Sequence, residues 1–273
     1  VNTTAVRQAE GFVHTPLFEG LARAGYVARG LIYVVIGICA VRLAQGVNEQ
    51  PASQTGALKL IAGQQFGHAL LVLMAIGLGG YSLWRLAQAV FGVTPEAGRH
   101  STLDRLGALG SAVAYATFCF IAISILVAPA STSGNDQKPR DITADALGWT
   151  GGRWLVGGVG VLFLIVAAYQ LYQGVTRKFM DDSKVGKMER PVRRAFTILG
   201  VTGLCARAVA FALIGVFIMR AAIAFHANEA VGLDGALYRL TKQSYGPTLL
   251  FVVAIGLIAF GFYSIADARY RKI

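Results

Sequence analysis

The residues best placed to do chemistry in this chain are four arginines. Arg29 and Arg42 stand 13 residues apart, and so do Arg207 and Arg220, each pair inside a run that is otherwise apolar. On an α-helix that separation is about 20 Å along the axis and about 220° around it. The two members of a pair therefore point to nearly opposite faces. They cannot both clear ~30 Å of hydrocarbon unless their side chains snorkel. Three readings are open. The arginines snorkel to the two interfaces; or Arg29 and Arg207 turn inward and bind an anionic group such as a lipid phosphate or a carboxylate; or they pair internally. For the last, Asp267 is the nearest acid, and we expect Arg207 to form a salt bridge with it.

The other reactive residue types are sparse. No Asp or Glu lies in the middle of an apolar run, where a proton- or sodium-coupled transporter needs one. Asp104 precedes a run, and Asp145 and Asp234 lie between runs. The four histidines, His14, His68, His100 and His226, fall at run ends or outside them. As haem ligands, His68 and His226 would come from exposed helix ends. Cys39, Cys119 and Cys205 read as apolar filler rather than as ligands or a disulfide. The motifs C-x-x-C, H-E-x-x-H, G-x-S-x-G and G-x-x-x-x-G-K-[ST] are missing. We expect no catalytic residue, no metal site and no cofactor.

The elements that must position these residues follow from composition. Of 273 residues, 55% are hydrophobic and 14% charged, against about 25% charged in soluble domains. That balance excludes disorder and argues against an ordinary soluble enzyme. Six apolar runs lie near 26–44, 67–91, 106–128, 154–175, 198–224 and 247–266. Each has about the ~20 residues that carry a helix across a bilayer, and strands would leave backbone groups unpaired in lipid. The expected architecture is all-α, a single polytopic bundle over 1–273 with six transmembrane helices. The first 20 residues contain no apolar segment of the signal-peptide kind. The connections are too short to bury a core of their own.

Charge gives the orientation. With the N-terminus on side one, that side holds 15 Lys and Arg and side two holds 6; the four span arginines complete the 25. The positive-inside rule then puts both termini in the cytoplasm. The densest stretch is the link 176–197, TRKFMDDSKVGKMERPVRR from Thr176, with seven Lys/Arg and three acids. Arg193 and Arg194 head the candidates for anionic headgroups, at about 1 kcal/mol per basic residue near the surface. The link also reads as a topology determinant or as a dock for a protein partner. Nucleic acid is not an expected partner, because no fold presents the charge to it.

The runs repeat. GYVARGLIYVVIGICAVRLA from Gly25 aligns without a gap on GLCARAVAFALIGVFIMRAA from Gly203, bringing Arg29 onto Arg207 and Arg42 onto Arg220. The middle copy, from Gly107, has Ser111 and Ser124 where the others have arginines. Gly56-Ala57-Leu58 matches Gly235-Ala236-Leu237, and Gly67 falls on Gly246; in the middle copy Tyr169 is aligned with Tyr81. The chain divides into three helical hairpins, 20–97, 101–180 and 195–270, all in one orientation, which implies a pseudo-threefold axis along the membrane normal.

The repeated G-x-x-A-R-x-x-x-[YF]-x-x-I-G pattern, in three two-helix copies with basic links, resembles domain-of-unknown-function family twelve-oh-six, bacterial membrane proteins. The resemblance implies a six-helix membrane protein and brings no activity with it. The loss of both arginines in the middle copy departs from strict threefold symmetry.

Glycines in the second helix of each copy (Gly77, Gly79, Gly80; Gly157, Gly158, Gly160; Gly256, Gly261) favour close helix packing. Tyr81, Trp84, Tyr169, Tyr172, Tyr263 and Tyr270 read as an interfacial aromatic belt. Three function classes remain. The leading one is a non-enzymatic accessory or scaffold component that binds anionic membrane lipid or a membrane-protein partner. The second is a channel or uniporter along the repeat axis, with Ser111, Thr117, Ser124 and Thr202 as its few polar candidates. The third is a membrane enzyme acting on a lipid.

Overall fold

The computed structural model describes residues 16–46, 53–65, 67–91, 102–127, 143–146, 148–149, 151–224, 233–242 and 244–271. His14, His100 and His226 lie outside them. Among the described residues the chain forms helices α1 (Pro16–Ala44), α2 (Gln54–Ala62), α3 (Gly67–Phe91), α4 (Thr102–Val127), α5 (Gly152–Thr176), α6 (Arg190–Ala224), α7 (Leu233–Thr241) and α8 (Gly246–Tyr270), with residues 143–146 also helical. Two 3₁₀ turns, Lys178–Met180 and Val185–Lys187, lie between α5 and α6. Among the described residues six helices are long and apolar enough to span a bilayer. The protein is an integral membrane protein of three tandem hairpin repeats, each pairing a first helix (α1, α4, α6) with a second (α3, α5, α8).

The three second helices are each 25 residues long, starting at Gly67, Gly152 and Gly246. Aligned from those glycines, Arg85, Gln170 and Ser264 share one position, and Gln88, Gln173 and Asp267 another. Tyr169 then falls with Trp84 and Tyr263, not with Tyr81 as the sequence alone had it. The helix contacts agree with the gapless alignment. Gly30 of α1 lies against Gly261 and Ile265 of α8, and Gly174 of α5 against Val201, Leu204 and Cys205 of α6. Arg29 is thereby level with Ser264, and Arg207 with Gln170.

Packing runs from repeat to repeat. Each first helix lies on the second helix of the preceding repeat: α4 on α3, α6 on α5, and α1 on α8. Within the first and third repeats the hairpin partners also pack, α1 on α3 and α6 on α8. The helices of the middle repeat do not: α4 and α5 share no comparable contact. The six spans therefore form an arc open between α4 and α5, and these are the two least buried spans.

At the end opposite the basic link, the connections of the first and third repeats contain the short helices α2 and α7. Ser53 caps α2, its hydroxyl accepting from the Gly56 N–H at 3.2 Å. Ala57-Leu58 of α2 and Ala236-Leu237 of α7 are fully buried and close that end of the bundle. The chain then turns directly into a span at Gly67 and Gly246. A Cβ at Gly67 would collide with the Ile61 carbonyl, and one at Gly246 with the Leu240 carbonyl. Glycine is required there by a backbone crossing.

Candidate functional site

Polar side chains gather at the basic end of the spans, where α1 crosses α8. Arg29 projects from α1 beside Gly30, whose bare backbone permits the crossing. Its Nε donates to Ser264 Oγ at 2.8 Å, and that hydroxyl donates to the Tyr26 carbonyl at 2.9 Å. Its guanidinium lies over the rings of Tyr26 (4.6 Å) and Phe260 (5.4 Å). Asp267, with a side chain 1% exposed, stands 4.0 Å from Arg29 and 3.3 Å from Arg271. Arg271 also holds Asp182 of the basic link at 2.8 Å.

The link is fastened to this cluster. Ser183 Oγ donates to Asp267 Oδ1 at 3.3 Å, and the Lys184 N–H donates to the Tyr270 carbonyl at 2.7 Å. Two further arginines cap helix ends. Arg23 donates to the carbonyls of Ala268 and Arg269 at 2.7 and 2.9 Å, and Arg105 to those of Ala89 and Val90 at 2.8 and 2.6 Å. Both lie two residues before the equivalent glycines Gly25 and Gly107, so one cap is used at two repeat contacts. Each cation neutralises carbonyls that a helix C-terminus leaves unpaired. Arg23 also binds Glu19, and this contact holds the Glu19 carboxyl below its ordinary value.

The expected Arg207–Asp267 salt bridge is corrected. Asp267 is engaged by Arg271, Arg29 and Ser183, whereas Arg207 lies over the rings of Phe260 (4.6 Å), Phe211 (5.1 Å) and Tyr33 (5.2 Å). The reason is depth: Phe260 is seven residues from Asp267 on α8, about 10 Å along the helix. Arg207 Nε is buried without an acceptor. Equivalent in sequence, Arg29 and Arg207 are thus unlike in partners. The second member of each pair, Arg42 and Arg220, is exposed.

Around the link, Arg177, Met180, Asp181, Ser183, Lys184, Val185, Gly186 and Arg193 line an open hollow of about 720 Å³. Arg177 adopts a left-handed backbone (φ 58°) as the chain leaves α5. Arg193 is part of the hollow; Arg194 is exposed beside it.

Several expected groupings dissolve. Tyr81, Trp84 and Tyr263 are buried, so they are no interfacial belt. Tyr81 instead packs with Tyr26 and Tyr115, at ring distances of 5.0 and 4.5 Å. Tyr169 and Tyr172 are exposed. The hydroxyls of Ser111, Thr117, Ser124 and Thr202 each donate to a carbonyl one turn back on their own helix, at 2.8–3.0 Å. The cysteines are free. Among the described residues no three His, Cys, Asp or Glu side chains gather as a metal site.

Sequence reasoning missed Ser264, Ser183, Arg271 and Gln170. The Asp267–Arg271 spacing of four was readable as a helical ion pair. So was Gln170 as one of two amides, with Gln173, in an apolar run.

Three tandem units, an interhelical arginine position used twice, and a basic link after the second unit form one repeating design. The family model for the Domain of Unknown Function (DUF1206) matches it three times, over residues 24–92, 106–177 and 202–271. The chain belongs to this family. A relative described as an uncharacterized protein, YxxB of Bacillus subtilis (strain 168), is 29% identical over 259 residues, covering 94% of this chain and 93% of its own. No solved structure matches the chain. Arg29, Ser264 and Asp267 of the ion cluster fall in the first and third matches, whereas Asp182, Ser183 and most of the hollow lie between the second and the third.

Proposed function

We propose that the protein is a non-catalytic accessory or scaffold component of the bacterial inner membrane, with both termini cytoplasmic, that holds anionic lipid headgroups in the hollow of its basic link. One observation supports this most. Arg177, Lys184 and Arg193 surround an open hollow on a link tied down by the Ser183–Asp267, Lys184–Tyr270 and Arg271–Asp182 contacts. Three cations held in place at the end of membrane helices suit a phosphate oxyanion. Asp181 also lines the hollow, leaving a net charge of two; at about 1 kcal/mol each this gives roughly 2 kcal/mol, about a thirty-fold preference for anionic over neutral lipid. The excess of 15 basic residues over 6 between the two sides favours the cytoplasmic placement of that end.

The test is lipid competition in nanodiscs. Wild-type protein should enrich phosphatidylglycerol over phosphatidylcholine, and the triple variant Arg177→Gln, Lys184→Gln, Arg193→Gln should lose most of the enrichment. Equal lipid retention by the two would refute the reading. Orientation is tested by Lys184→Cys in a cysteine-free background: an impermeant maleimide should label it in inverted vesicles and not in intact cells.

A further inference from the structure

Arg207 and Gln170 are two polar side chains inside the spans, at one level on neighbouring helices and apart from the hollow. Gln170 is 6% exposed, and both its amide oxygen and its amide nitrogen lack partners. Arg207 Nε is likewise buried and unpartnered. The register of α5 on α6, Gly174 against Val201–Cys205 and Gly160 against Gly215–Met219, sets the two residues level with one another. Three rings attract the Arg207 cation, but a ring face accepts no in-plane N–H bond. Unsatisfied buried polar groups of this kind are costly and call for a partner.

Repeat equivalence identifies the missing partner. At the corresponding contact of α1 on α8, Arg29 has Ser264 for its Nε and Asp267 for its charge. At the contact of α6 on α5, Gln170 stands for Ser264, and Gln173, a neutral residue bonded to Tyr169, stands for Asp267. One contact contains its own oxyanion and the other lacks it. Gln170 lies six residues before the end of α5, about 9 Å below the basic end of the helix. Farther into the membrane, the half-buried rings of Phe163 and Phe211 pack together at 5.8 Å. α4 and α5 share no comparable contact, so one flank of α5, away from α6, has no helix of its own repeat packed on it.

We propose that Arg207 and Gln170 bind an oxyanion carried on an acyl chain. The oxyanion accepts from the Arg207 guanidinium and the Gln170 amide, in the role that Asp267 has for Arg29, and the chain runs along Phe211 and Phe163. A fatty-acid carboxylate and the phosphate of a phosphatidic acid share this chemistry.

The test is native mass spectrometry of the full-length protein in neutral detergent, titrated separately with oleate, phosphatidic acid and inorganic phosphate. Oleate or phosphatidic acid should bind wild type, and which of them binds identifies the headgroup. Arg207→Gln should weaken that binding about ten-fold or more, the loss of one charged hydrogen bond. Gln173→Glu should weaken it similarly while raising the thermal midpoint, because it supplies the anion from within; this second variant separates ligand loss from misfolding. The triple variant of the hollow should bind as wild type does, so the two sites fail independently. Failure of both acyl ligands to bind would overturn the proposal. So would inorganic phosphate binding as tightly as they do, or unchanged affinity in Arg207→Gln and Gln173→Glu.

Discussion

Replacing Asp267 by Asn tests whether the ion cluster at the basic end holds the first and third repeats together. The substitution conserves shape and removes one charge. The carboxylate lies 3.3 Å from Arg271 and 4.0 Å from Arg29, with a side chain 1% exposed. At an effective dielectric constant of ~20, these contacts correspond to gross attractions of about 5 and about 4 kcal/mol. The net loss is smaller. Asn keeps a carbonyl oxygen for Arg271, which retains Asp182 at 2.8 Å, and Arg29 keeps Ser264 at 2.8 Å. Breaking a buried pair by deleting one partner costs ~3–5 kcal/mol, mostly from the charge left behind. We therefore expect Asp267→Asn to destabilise the protein by about 3 kcal/mol, the lower end of that range. The assay is reversible unfolding in mixed micelles, followed by the fluorescence of Trp84, which is buried beside Tyr26 and Tyr81. In a double-mutant cycle Asp267→Asn and Arg271→Gln should be less than additive, because they share one contact. A loss below about 1 kcal/mol, typical of an exposed pair, would refute the reasoning, as would full additivity.

Two further outcomes follow from local geometry. Gly67→Ala and Gly246→Ala each place a methyl on a backbone carbonyl and should destabilise by about 1–3 kcal/mol, whereas Gly158→Ala meets open space and should be neutral or stabilising by up to about 1 kcal/mol; thermal midpoints in detergent would show the contrast, and equal effects would contradict it. The lowered Glu19 carboxyl means that its contact with Arg23 stabilises the start of α1 above the ordinary value of 4.5 and that this contribution fades as pH falls through the lowered value; Glu19→Gln should therefore flatten the pH dependence of unfolding below pH 4.5 and leave the protein still folded at pH 7.

Much of the architecture was legible because lipid leaves few choices. An apolar run of about 20 residues must be helical to satisfy its backbone, and repeated Gly-Ala-Arg spacings fix which helices are equivalent. The short helices α2 and α7 were not read in advance: each is nine residues long, and its Ala-Leu pair makes sense only once it closes the bundle. Tyr81 and Trp84 looked interfacial because ring chemistry suits an interface. Whether a tyrosine meets lipid or Tyr26 depends on which helix lies beside it. The arginines show the same limit. Sequence spacing separated the inward pair Arg29 and Arg207 from the exposed pair Arg42 and Arg220, since 13 residues turn a helix through a little more than half a circle.

The sequence by itself determined that six helices span a membrane in three equivalent pairs, and where the unusual cations lie along each. Only the tertiary structure decided who meets whom. Each first helix packs on the second helix of the preceding repeat, so Arg29 of the first repeat finds Ser264 and Asp267 of the third, and Arg207 of the third stands level with Gln170 of the second. Charge pairing in hydrocarbon depends on a few ångströms of register between helices distant in sequence. Spacing along one chain segment does not contain that information.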